Sequence, residues 1–137
     1  MTRNVEIGLL IARIVLGITF FLHGLVKFQG GIENTAGWFD SIGLPVFAAY
    51  AVATIELVGG LAMIVGLGIR VVALLFALIM IGAIVKVKAA VGFLGDGQMA
   101  GYELDLALLA ISVLLGLSGS RLLSLDRLLF DSRTDTL

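Results

Sequence analysis

Cysteine is absent from this chain of 137 residues. Disulfide exchange, thiolate catalysis, iron–sulfur ligation and thioether-linked haem are therefore excluded together, and the redox compartment is not legible. Any redox chemistry must use a group brought in from outside. Histidine occurs once, as His23. No His-x-x-x-His or Glu-x-x-His pair stands on one helical stretch, so a metal site is a minor option, and a haem lacks its second axial histidine. Charge is scarce, at 14% of residues, with a formal net charge of -1. Without a general basic field or a run of Lys or Arg, nucleic-acid binding is set aside. The glycine words GDG and GLG lack the strand and helix context of a nucleotide-binding loop.

What is abundant is apolar: 60% of residues are hydrophobic and mean hydropathy is +1.14. An ordinary soluble domain has about 45 to 50%. The composition is that of a membrane protein, and one proline with 18 glycines suits closely packed membrane helices. A hydrocarbon core about 30 Å thick needs roughly 20 helical residues. Four stretches qualify, near 5–28, 46–67, 70–91 and 101–117. The expected fold is an all-α integral membrane protein, a four-helix transmembrane bundle forming a single domain over residues 1–137. The first span follows MTRNVEIGLL without a small-residue cleavage site, so it reads as retained, with the chain starting at or near Met1. GLGIR makes the second and third spans a tight hairpin. Arg3, Arg70, Arg121, Arg127 and Arg133 then fall on one side and Lys27, Lys86 and Lys88 on the other, so the positive-inside rule makes both termini cytoplasmic.

The first outer loop, GGIENTAGWFDSIGLP, predicts a short interfacial helix, capped by Asn34 or Thr35, with Trp38, Phe39 and Ile42 on its apolar face. Gly43 suits its C-cap and Pro45 a new helix start. A plain solvated loop would leave Trp38 and Phe39 in water. Near the C-terminus, Ser124 or Asp126 can cap a segment whose Leu128, Leu129 and Phe130 touch the inner interface, and a frayed polar tail is expected beyond Asp131. A faint repeat relates LHGLVK (22–27) to IGAIVK (81–86), and Glu56-Leu57 to Glu103-Leu104, suggesting two similar helical hairpins.

The informative residues are the polar ones inside these runs. Arg13, Gly17, Phe20, Gly24 and Lys27 form one helical stripe, with His23 beside them. Glu56 lies mid-span, where an unpartnered carboxylate costs roughly 2.5 to 3.5 kcal/mol. Lys86 and Lys88 end the third span, and Glu103 and Asp105 open the fourth. All but Arg13 gather in the outer half. Lys27, Lys88 and Asp105 are near enough to span ends to snorkel, and Arg13 can serve a carbonyl, Glu56 or a lipid phosphate. Glu56 has too short a stem for that, so Glu56 and His23 are the candidate catalytic pair, with Arg13, Lys27, Lys86 and Glu103 as candidate ligand-binding groups. An apolar cavity with such donors and acceptors in its wall suits an aromatic or quinonoid molecule that exchanges protons.

The order Arg13, Gly17, Phe20 or Phe21, HGLVK (23–27), GLP (43–45), Glu56 with Gly59-Gly60, GLGIR (66–70), Glu103 and SRLLSLD (120–126) resembles the DoxX family of small bacterial membrane proteins over nearly the whole chain. The resemblance implies a four-helix bundle in the bacterial plasma membrane and a link to quinone, catechol or thiol redox metabolism. Family relatives include a membrane subunit of thiosulfate:quinone oxidoreductase and a mycobacterial member assembled with a superoxide dismutase and a sulfurtransferase. Many members place a histidine or another polar group near the end of the third span, where this chain has Lys86 and Lys88, which weighs further against a shared metal or haem site. Expected partners are the lipid bilayer, a quinone or catechol-like molecule and a soluble redox enzyme, with a homo-oligomer left open; no cofactor is intrinsic and quinone is the candidate. A non-catalytic carrier or efflux module, and a scaffold anchoring soluble enzymes through Arg70 and the C-terminal surface, are the competing readings.

Overall fold

The computed structural model describes residues 2–130, which form helices and, apart from an isolated bridge between Gly95 and Ala100, no strand. Arg133 and the tail expected beyond Asp131 lie outside the described residues. Helix α1 runs Arg3–Gln29, α2 Ile32–Ser41, α3 Val46–Val65, α4 Ile69–Ala83, α5 Glu103–Ser118 and α6 Leu125–Leu129; α4 continues as a π-helical turn, Ile84–Lys88. Three of these, Arg3–Gln29, Val46–Val65 and Ile69–Lys88, are long and apolar enough to cross a membrane. Their outward residues, such as Ile11, Val58 and Val71, are exposed apolar surface that belongs against lipid. The fourth expected span is the 16-residue helix α5, about 24 Å long at 1.5 Å per residue.

Local chemistry sets the ends. Thr2 Oγ1 accepts from Val5 N–H at 3.4 Å and starts α1. Gly66, at φ +78°, ends α3 with Leu67 N–H on Ala62 O and Gly66 N–H on Met63 O, a Schellman closure that makes the three-residue turn into α4. Pro45 is the N-cap of α3 and Gly43 has φ +85° after α2. Asn34 and Thr35 do not cap α2. The helix starts earlier, behind Gly31, and Asn34 Nδ2 donates back to Gly30 O at 2.9 Å.

Helices α1 and α3 meet backbone to backbone. A Cβ on Gly60 would come within 2.5 Å of Phe21 N and 2.7 Å of Gly17 O, and one on Gly24 within 2.5 Å of Leu57 N. Small residues at such a crossing give close van der Waals packing, which in lipid replaces the hydrophobic drive. Helix α4 joins through Phe76, whose ring stacks on Phe20 at 3.8 Å between centroids and 8° between planes, over the space left by Gly59. Helix α5 packs on α4 and contributes Leu108 and Leu115 to the core. Ala36 and Phe39 of α2 pack on Ala49 of α3.

Candidate functional site

The close α1–α3 crossing positions the first pair of polar groups. Lys27 stands three residues beyond Gly24, and Glu56 stands between Ala53 and Leu57, the residues Gly24 lies against. Lys27 Nζ is 2.7 Å from Glu56 Oε1; the Glu56 side chain is 4% exposed and that of Lys27 25%. The contact is an ion pair off the hydrogen-bonding direction, since Glu56 Oε1 has no aligned donor among the described residues. A matching pair joins the other two helices, with Lys88 Nζ 3.0 Å from Asp105 Oδ2. Each helix pair, α1 with α3 and α4 with α5, thus carries one lysine-to-carboxylate bridge at the same end.

Between them lies a cavity of about 520 Å³. Its wall is apolar over most of its area, from Phe20, Phe39, Val52, Ile79 and Leu108 among others, and Trp38 of α2 contributes to it. His23, Lys27, Glu56, Lys86, Lys88 and Asp105 bring the polar groups. Of the six sequence candidates, His23, Lys27, Glu56 and Lys86 line this cavity together. His23 is exposed as well as lining it. Lys86 is not ion-paired to any described residue, so three lysines face two carboxylates and one positive charge is left over. Both Lys86 and Lys88 stand on the π-helical turn, a distortion often found at functional sites.

Two candidates are elsewhere. Glu103 is exposed outside the cavity lining, and the acid that α5 turns inward is Asp105, 8% exposed. Arg13 is fully buried toward the opposite end. Its Nη1 donates to Ser120 O at 3.2 Å, Ser120 Oγ at 3.4 Å and Leu122 O at 3.1 Å, and its Nη2 to Leu123 O at 2.8 Å. Of the roles open to it, it takes the carbonyl partner, and it is a structural clasp on the segment after α5. A second clasp went unseen in the sequence: Asp126 accepts from Gly68 N–H at 2.7 Å and Ile69 N–H at 2.9 Å and so caps α4. No short-range pattern signals a cap 57 residues away.

Fold and site together define a small helical membrane protein with a charged, mostly apolar cavity between its helices. The DoxX family model matches residues 8–89, and the chain belongs to that family. It is 48% identical over 133 residues, 97% of this chain and 95% of the relative, to the Bacillus subtilis (strain 168) protein named "Putative oxidoreductase CatD". It is 34% identical over 125 residues, 84% of this chain and 77% of the relative, to "Uncharacterized membrane protein Rv3486" of Mycobacterium tuberculosis (strain ATCC 25618 / H37Rv). No solved structure matches it.

Proposed function

We propose that the chain is a bacterial plasma-membrane protein that binds a small quinonoid or catechol-like aromatic molecule in this cavity and serves quinone or catechol redox metabolism and resistance to such compounds. In this reading α5 is the fourth transmembrane helix of the bundle, α2 lies in the outer interface, and both termini are cytoplasmic. Arg3, Arg70, Arg121 and Arg127 at the inner end support that orientation, against Glu6 and Asp126 as the described acids there. A bilayer thinned locally accommodates a helix of α5's length.

The observation that carries the reading is the cavity wall: apolar surface for a ring, and the Lys86 ammonium, without an ion pair among the described residues, in the same wall as a Lys27-paired carboxylate. A volume of about 520 Å³ is ample for a substituted ring. Lys86 favours a hydroxyl that ionises to phenolate, and Glu56 is the base that takes its proton. Oxidation of a hydroquinone to the quinone releases two protons and two electrons. Glu56 receives protons and His23, lining the cavity yet exposed, returns them to water. The electrons pass to a second quinone or to a soluble redox enzyme, because lysines, carboxylates and histidine exchange protons only. The name of the Bacillus relative, "Putative oxidoreductase CatD", supports a redox role.

The test is electron transfer from a soluble hydroquinone to a quinone acceptor by the purified protein in lipid nanodiscs. Saturable, protein-dependent transfer that falls in Glu56→Gln and Lys86→Met is expected. Binding without transfer would make the protein a carrier, and absence of binding would remove the cavity from the function.

A further inference from the structure

A second cavity, of about 650 Å³, opens at the opposite end of the helices and takes no part in the chemistry above. We infer that it is a binding site for the phosphodiester headgroup of an anionic phospholipid, held by Arg70 and Arg127. Both arginines line it, together with Arg121, Ser118, Gly119 and Asp126. Asp126 is committed to the N–H groups of Gly68 and Ile69, so Arg70 and Arg127 set two guanidinium groups against this one occupied carboxylate. Guanidinium groups match phosphate oxygens in forked, two-bond geometry, and such pairs are stronger than neutral hydrogen bonds.

The rim of this pocket is built from buried contacts. Arg13 fixes the carbonyls of Ser120, Leu122 and Leu123, and Asp126 N–H donates to Gly66 O at 2.9 Å, fastening α6 across the α3–α4 turn. Gly119, at φ +68°, carries no side chain where Arg70 crosses it; a Cβ there would lie 3.2 Å from Arg70 Nε. Arg70 Nη2 makes only a 3.4 Å bond to Ser118 O, and the Arg127 guanidinium has no partner among the described residues. The surroundings favour a lipid over a free anion. Leu123 is 76% and Leu128 68% exposed beside the pocket, with Phe130 in its lining, an apolar margin that suits acyl chains and is ill placed in water.

The full-length protein in phosphatidylcholine nanodiscs, with and without phosphatidylglycerol, tests this. Phosphatidylglycerol should raise the unfolding temperature of the wild type and of Arg3→Gln, a basic control at the same end. Arg127→Gln and the double variant Arg70→Gln/Arg127→Gln should lose that increment. Native mass spectrometry of the wild type and Arg127→Gln should show phosphatidylglycerol retained about tenfold less by the variant. That comparison stands even where the double variant does not fold. An equal increment in Arg127→Gln, or an equal loss in Arg3→Gln, would reduce the effect to general surface attraction and overturn the site. Inorganic phosphate in phosphatidylcholine nanodiscs should not reproduce the increment; if it does, the pocket holds a free anion and the lipid assignment fails.

Discussion

Replacing both members of the Lys27–Glu56 pair, singly and together, separates a structural ion pair from a working one. Lys27→Met leaves an unpaired carboxylate in a side chain 4% exposed, about three turns into α3. Stripping one partner from a buried pair costs about 3 to 5 kcal/mol. Glu56→Gln is milder, since the Lys27 side chain is 25% exposed, two residues from the end of α1, and can snorkel; about 1 to 2 kcal/mol is expected after that discount. The double variant has no charge to strand and should sit within about 1 kcal/mol of wild type. The coupling energy is then about 3 kcal/mol or more, read from reversible unfolding in mixed micelles with the single tryptophan, Trp38, as reporter. Turnover should not follow stability: Lys27→Met/Glu56→Gln folds but stays inactive, because Gln exchanges no proton. Costs that add within about 0.5 kcal/mol would refute the pairing, and a double variant with full turnover would refute the role of Glu56 as base.

Gly60→Ala should separate α1 from α3 and destabilise by about 1 to 3 kcal/mol in the same unfolding assay, because its Cβ meets backbone atoms of Phe21 and Gly17; Gly8→Ala, with nothing within 4 Å, should be neutral or slightly stabilising. Arg13→Met should cost roughly 3 kcal/mol or more and release residues 119–124 to fast amide exchange, whereas Arg13→Lys, losing the fork but keeping the charge, should fall between. With no native cysteine, single probes at Thr35 and Asp96 should react with an impermeant maleimide from outside intact cells, and one at Leu67 only after permeabilisation. Labelling in the opposite sense would invert the orientation.

The helices were readable because length and hydropathy determine them: 5–28 became Arg3–Gln29, and 46–67 became Val46–Val65. The α1 stripe was readable too, since Arg13, Gly17, Phe20 and Gly24 are all buried on one face. Reading failed where contacts between distant residues decide. Periodicity gives the faces of α5 but not which one turns toward α4, so Glu103 stood in for Asp105. The α-helical register expected for the third span does not survive the π-helical turn, on which Lys88 pairs with Asp105 while Lys86 has no acid partner among the described residues. Arg13 could have served a carbonyl, a carboxylate or a lipid; only the fold of residues 120–123 selects the carbonyls. Trp38 was expected on an interfacial face, and its further position in the cavity wall required the packing of α2 on α3.

That position makes the central claim directly measurable. Trp38 lines the cavity and is the chain's single tryptophan, and a quinone bound against indole quenches its fluorescence. Titration with a soluble benzoquinone analogue in nanodiscs should give saturable quenching that catechol competes away and that Lys86→Met weakens about tenfold. Quenching that rises without saturation, ignores catechol and is the same in Lys86→Met would be collisional, and would contradict a ligand site in this cavity.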